Sequence, residues 1–171
     1  MDLDISAAGG SKRFLIKPVV LARMLQAAEV KASDNVLVVG CATGYSAVVI
    51  ARIAGKVTAT DGDPDLAARA AACAAKLDCS NADFRAGMAA DGYAANGPYN
   101  VIVLAGATEV IPTGLYQQLA PGGRLVGVFA TSQPPRAMIV THSHDDFGDR
   151  ALFDAVVPVL PGLERVPAFV F

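Results

Sequence analysis

Apolar residues fall in short runs with sharp ends, and the runs change period along the chain. Val36-Leu37-Val38-Val39 is continuous, follows Ser33-Asp34-Asn35 and closes at Gly40. A continuous β-branched run fenced by turn residues fits a strand covered on both faces, as in a parallel sheet. Ahead of it, Pro18 suits a first helical turn, and Val20, Leu21, Met24, Leu25 and Ala28 recur at helical spacing. Beyond it the pattern predicts a helix over 45–54, a strand over 56–60 ending at Asp61, a helix over 64–77 and a weak strand over 82–86. A strong strand over 99–105, a short helix over 112–119, a turn at Pro121-Gly122-Gly123 and a strand over 124–129 follow. Strand and helix alternating in this way predict an α/β fold, a Rossmann-like doubly wound and mostly parallel sheet. After Pro134-Pro135 the rhythm changes. Runs at 136–141 and 150–159 flank Asp145, Asp146, Gly148 and Asp149, which predicts a C-terminal antiparallel hairpin, and 166–171 reads as a last strand. Residues 1–13 carry no periodicity and read as a loose arm. No linker or repeat divides the rest, so residues 1–171 read as one domain.

Composition narrows the class. The chain has 171 residues, 53% hydrophobic and 18% charged, enough for one well-formed core and unlike a disordered segment. Net charge is −2 with basic residues scattered, which argues against a nucleic-acid surface. The longest nearly apolar stretch, 45–53, is far below the roughly 20 residues of a membrane span, and the first residues lack a signal-peptide pattern. Cys41, Cys73 and Cys79 have no paired spacing, so a cytoplasmic location is expected.

The candidate chemistry sits where the first central strand meets its helix. Gly40-Cys41-Ala42-Thr43-Gly44-Tyr45 is a turn of small residues, and N–H groups there are expected to face an electron-rich ligand. Asp61 stands 21 residues after Gly40, at the end of the next strand, the position of an acid that binds ribose hydroxyls in nucleotide-binding βαβ units. The fingerprint G-x-G-x-x-G is absent because Ala42 holds the middle position, which disfavours NAD.

With these residues in view, the chain resembles class I methyltransferases. Gly40 to Gly44 is similar to their first motif, Asp61-Gly62-Asp63-Pro64 to their acidic second one, and Leu119-Ala-Pro-Gly-Gly-Arg-Leu-Val126 to their Leu-x-Pro-Gly-Gly-x-Leu strand entry. The nearest resemblance is to protein-L-isoaspartate O-methyltransferases, through Gly44-Tyr45-Ser46-Ala47 and Pro98-Tyr99-Asn100-Val101-Ile102-Val103. That resemblance implies S-adenosylmethionine as cofactor and methylation of a protein or peptide carboxylate, or of a small-molecule acceptor. It further implies Gly40, Cys41, Ala42 and Gly44 along the methionine, Tyr45 covering the cofactor, Asp61 and Gly62 at the ribose, and Gly87 and Met88 at the adenine. Four positions depart from the family pattern: Val38 replaces an acid, Ala42 a glycine, Met88 an adenine-binding aspartate, and Ile16 an active-site hydroxyl. These support a second reading, a degenerate relative that binds cofactor weakly or not at all and acts through a partner.

Methyl transfer to a carboxylate needs no general base, because the acceptor is already ionised at pH 7. What it needs is in-line positioning and exclusion of water. No catalytic residue is assigned. Thr141-His142-Ser143-His144-Asp145-Asp146 invites a metal reading, but two histidines in a predicted turn do not make a site, and no metal is expected. Cys41 near a helix start has the setting of a reactive thiol, although a small residue filling a tight turn explains it better. Asp63 before Pro64 reads as a helix cap.

Overall fold

The computed structural model describes residues 3–5, 13–144 and 146–166. A two-residue strand β1 (Leu3–Asp4) pairs antiparallel with β2 (Phe14–Leu15), and the rest of the expected loose arm, apart from Ile5 and Arg13, lies outside the described residues. Then come α1 (Pro18–Ala28), β3 (Asn35–Val39), α2 (Tyr45–Ala51), β4 (Lys56–Asp61), α3 (Pro64–Lys76) and β5 (Ala82–Ala86). A 3₁₀ turn at Ala94–Asn96 leads into β6 (Tyr99–Thr108), α4 (Thr113–Tyr116), β7 (Leu119–Phe129), β8 (Arg136–Ser143) and β9 (Asp146–Asp154).

The seven-stranded sheet runs β5-β4-β3-β6-β7-β8-β9. Its first five strands are parallel, and β8 and β9 form the antiparallel hairpin. The strand order reverses between β3 and β6, so their carboxyl ends open a crevice at the topological switch point. Strand side chains alternate between faces. Val36 and Val38 pack with Met24 of α1, Ile50 of α2 and Ala70 of α3, whereas Leu37 and Val39 pack with Leu115 of α4 and with Leu160. Among the described residues, three helices therefore cover one face, while α4, with four residues, is the one α-helix on the other.

Several boundaries differ from the expected ones for local reasons. Helix α2 ends at Ala51 because the last turn tightens into Arg52 N–H to Val49 and Ile53 N–H to Ile50 bonds before Gly55. Strand β6 runs on to Thr108 because Ala107 pairs with Val128 and bridges Val159. The turn 121–123 lies inside β7: Tyr99 pairs with Leu119 but Val101 with Arg124, so the extra residues bulge outward. A side chain at Gly123 would meet the Ala120 and Tyr99 carbonyls at 2.7 and 2.8 Å. Hairpin strand β9 starts at Asp146, not 150, and Val166 is in no strand; the rest of the expected last strand lies outside the described residues.

Candidate functional site

Gly40, Ala42 and Gly44 all adopt positive φ, at +77°, +51° and +90°. This winding turns the chain sharply from β3 into α2. The glycines do so freely, but Ala42 takes a left-handed conformation that costs an L-residue about 1–2 kcal/mol. Four N–H groups of the turn bond within the protein, where the sequence pattern expected them to face a ligand. Gly40 and Cys41 donate to the Thr60 carbonyl, both at 2.9 Å, Gly44 donates to the Cys41 carbonyl at 2.8 Å, and Ala42 donates to Asp61 Oδ2 at 2.8 Å. They tie β3 to the end of β4.

Asp61 therefore does face the glycine turn. Its side chain is fully buried, and its Oδ1 accepts from the Asp63 N–H at 3.0 Å and from the Arg13 guanidinium. Arg13, which the sequence pattern left in a loose arm, is itself only 10% exposed at the side chain. Its backbone carbonyl accepts from Ile5 N–H at 2.9 Å. The pairing spans 48 residues, so no local pattern signals it.

A second unforeseen side chain is Leu160. The segment after β9 returns to the crevice, where Ala107 donates to the Pro158 carbonyl and Leu160 donates back to Ala107, at 2.8 and 2.9 Å. Leu160 then lies over both glycines of the crevice: a Cβ on Gly40 or on Gly106 would overlap its Cδ2. Between Arg13, Ile16, Gly40, Ala42, Ala105 and Leu160 a cavity of about 20 Å³ remains, the space of about one water.

The other predicted positions divide. Gly87 donates its N–H to the Asp61 carbonyl at 2.9 Å, which brings its loop beside Gly62. Met88 is 49% exposed there, and a Cβ on Gly62 would sit 3.8 Å from its sulfur. Tyr45 is 43% exposed and, with Leu3, Leu15, Ile16 and Pro18, lines a separate hollow of about 250 Å³. Cys41 is buried and unreactive in character: burial first, then the charge of Asp61, pushes its thiol up to about 12. Asp63 caps α3 as expected, accepting from Asp65 and Leu66 N–H at 2.9 and 3.3 Å. His142 stacks on Phe147 with centroids 4.7 Å apart, and its Nδ1 lies 3.2 Å from the Leu119 and Ala120 carbonyls. Among the described residues no group of three or more His, Cys, Asp or Glu gathers at metal-binding distances, and no helix is long and apolar enough to cross a membrane.

A turn-and-aspartate pair at the switch point of such a sheet has counterparts in known proteins. The family model for protein-L-isoaspartate(D-aspartate) O-methyltransferase matches residues 4–147. The chain belongs to that family. The isoaspartate methyltransferase of Pseudomonas paraeruginosa is 31% identical over 162 residues, covering 93% of this chain and 76% of its own. That of Rhodopseudomonas palustris, numbered 1, is 35% identical over 130 residues, covering 76% and 53%. This isoaspartate methyltransferase relative spans about half the length of the first curated proteins it matches, 53% and 51% of them. Among solved structures, a protein-L-isoaspartate O-methyltransferase superposes with a TM-score of 0.86 at 20% identity over 96% of this chain and 54% of that one. A Plasmodium falciparum protein described as the same enzyme, solved with S-adenosyl-L-homocysteine, gives 0.77 at 17% identity, covering 93% and 79%. At such identities the superpositions establish the fold.

Proposed function

We propose that the chain is an S-adenosylmethionine-dependent carboxyl methyltransferase whose acceptor is an isoaspartyl or D-aspartyl side chain of a protein or peptide. The observation that carries this reading is the Asp61 carboxylate held against the Ala42 N–H at the switch point, in a chain of this family. An acid at that place suits the two ribose hydroxyls. Gly62 and, through apolar contact, Met88 with Gly87 extend the same rim toward the adenine. Gly40, Cys41, Ala42 and Gly44 border the methionine side, and Tyr45 covers the mouth. Asp61, Gly62, Gly87 and Met88 fit the nucleoside end of the cofactor, and Arg13 and Leu160 line the small cavity beside Gly40 and Ala42.

When bound, the cofactor supplies an activated methyl group. The work left to the chain is to orient the acceptor and keep water away. Ile16 at the cavity wall suits the second task and offers no hydrogen bond to the acceptor. Three unpaired cysteines fit a cytoplasmic setting.

Calorimetry of the purified chain with S-adenosylhomocysteine, with NAD as control, tests the reading. Micromolar binding of the first alone is expected. Absence of binding would overturn it in favour of a degenerate relative acting through a partner.

A further inference from the structure

We propose that Leu160 is a specificity-determining residue, a side-chain gate that sets how much of a ligand the switch-point crevice admits beyond the nucleoside. The proposal rests on the cofactor reading above. Gly40 follows β3 directly, and Gly106 lies near the carboxyl end of β6. Two side-chain-free positions therefore flank the switch point, where open α/β sheets admit their ligands. Leu160 covers both. A Cβ on either glycine would overlap its Cδ2, and one on Gly106 would also crowd its Cγ. The space left beside it is about 20 Å³, room for one water. An amino-acid chain running from the ribose along the Gly40 turn cannot share that space with the leucine.

What can yield is the side chain, because the backbone around it is tied down. The Leu160 N–H donates to the Ala107 carbonyl at 2.9 Å, and the Leu160 carbonyl accepts from Leu163 N–H at 3.0 Å. Ahead of it the Pro158 carbonyl accepts from Ala107 N–H at 2.8 Å. Beyond it Leu163 is buried, and its carbonyl accepts from Glu109 N–H at 2.8 Å. The segment is thus held to β6 on both sides of Leu160. Its Cδ2, by contrast, is the far end of a side chain with two free torsions, and another staggered well carries it elsewhere. At the nucleoside end the rim side chain is Met88, half exposed, so Leu160 restricts the opposite end. The gate discriminates by length. A nucleoside ending in a short 5′ group leaves Leu160 in place, and one that carries an amino-acid chain must turn it aside.

Calorimetry with two probes reads the gate. 5′-Methylthioadenosine stops at a methyl group after the 5′ sulfur, whereas S-adenosylhomocysteine continues into an amino-acid chain. Leu160→Ala should bind S-adenosylhomocysteine about tenfold more tightly than the wild type, the scale of holding one side chain off its preferred rotamer. Its affinity for methylthioadenosine should change less than about threefold on the same scale. Leu160→Val, which shortens the reach but stays branched and apolar, should show part of the gain. Should Leu160→Ala fail to fold, the wild type reports the gate through the carbon-13 shift difference between the two Leu160 methyl groups, which follows the rotamer. Leu160→Val assigns those signals. S-Adenosylhomocysteine should change the difference, and methylthioadenosine should leave it as it is. Three results overturn the gate and leave the cofactor reading standing: S-adenosylhomocysteine binding that is equal or weaker in Leu160→Ala, a gain of the same size for both probes, or a Leu160 rotamer indifferent to bound S-adenosylhomocysteine. If neither the wild type nor any variant binds either probe, the cofactor reading falls and the gate with it.

Discussion

Asp61 serves the fold as well as any ligand, and that changes what its mutation can report. Replacing it with alanine strands the Ala42 and Asp63 N–H groups and removes the buried carboxylate to which Arg13 donates. Breaking a buried pair from one side costs about 3–5 kcal/mol, a large part of the 5–15 kcal/mol typical of a domain. Asp61→Ala should therefore lower the urea midpoint strongly at constant m-value, with no ligand present. A loss under about 1 kcal/mol would mean that the pair does not form in solution. Weak cofactor binding by this variant would thus not isolate a ribose contact, whereas Asp61→Asn keeps an acceptor for the turn. Asp61 is readable from spacing because strand ends and glycine turns are local features. Arg13 is not, because its partner lies 48 residues away and its neighbours form no periodic element. Cys41 reads from sequence chiefly as a small residue filling a tight turn, and the turn does bury it.

At the scale of elements, Arg124 of β7 shows how helix α1 is fixed to the sheet. Its guanidinium donates to the Ala28 and Glu29 carbonyls at the end of α1, to the Asn100 carbonyl of β6 at 3.3 Å, and to Asp34 Oδ2 at 2.9 Å. The carbonyls at a helix end have no intrahelical donors, and here one side chain supplies them. Arg124→Ala should cost about 1.5–3 kcal/mol, the range for hydrogen bonds to a charged group. Arg124→Lys should recover only part, because an ammonium lacks the fork that reaches several acceptors at once. Equal midpoints for wild type and Arg124→Ala in urea would refute this. In the sequence Arg124 is merely the first residue after a Pro-Gly-Gly turn. The elements themselves were legible wherever periodicity ran uninterrupted: α1 and β5 match their expected bounds, and α3 differs by one residue. They were misjudged where long-range pairing decides. Residues 119–120 join β7 across a bulge, and β9 begins at Asp146 because it pairs with Ser143.

For the whole molecule, the strand order follows from the alternation of strands and helices, but the uneven cover of the sheet does not. The connection between β7 and β8 contains no helix, and α4 has four residues, so the second face near the hairpin relies on packed aromatic groups. Tyr116 lies 5.2 Å from the Phe147 ring, on which His142 stacks. Both faces consequently hold a weak acid kept neutral by burial: Cys41 on one and Tyr116 on the other, each pushed up to about 12 from 9.0 and 10.0. The sign for global stability follows from which state loses its proton first. Below pH 9 both states keep the Cys41 proton, and stability does not depend on it. Between pH 9 and about 12 the unfolded chain releases the thiol proton while the folded chain retains it, so unfolding becomes more favourable as pH rises. One such proton contributes a slope approaching about 1.4 kcal/mol per pH unit. Urea midpoints measured from pH 8 to 11 should therefore fall for the wild type from near pH 9. Cys41→Ala removes that acid and leaves Tyr116, so its decline should begin about one pH unit later. Any constant penalty for the lost sulfur shifts the whole curve without moving its break. Curves for the two proteins that run parallel throughout would show that the thiol is not held neutral in the folded chain.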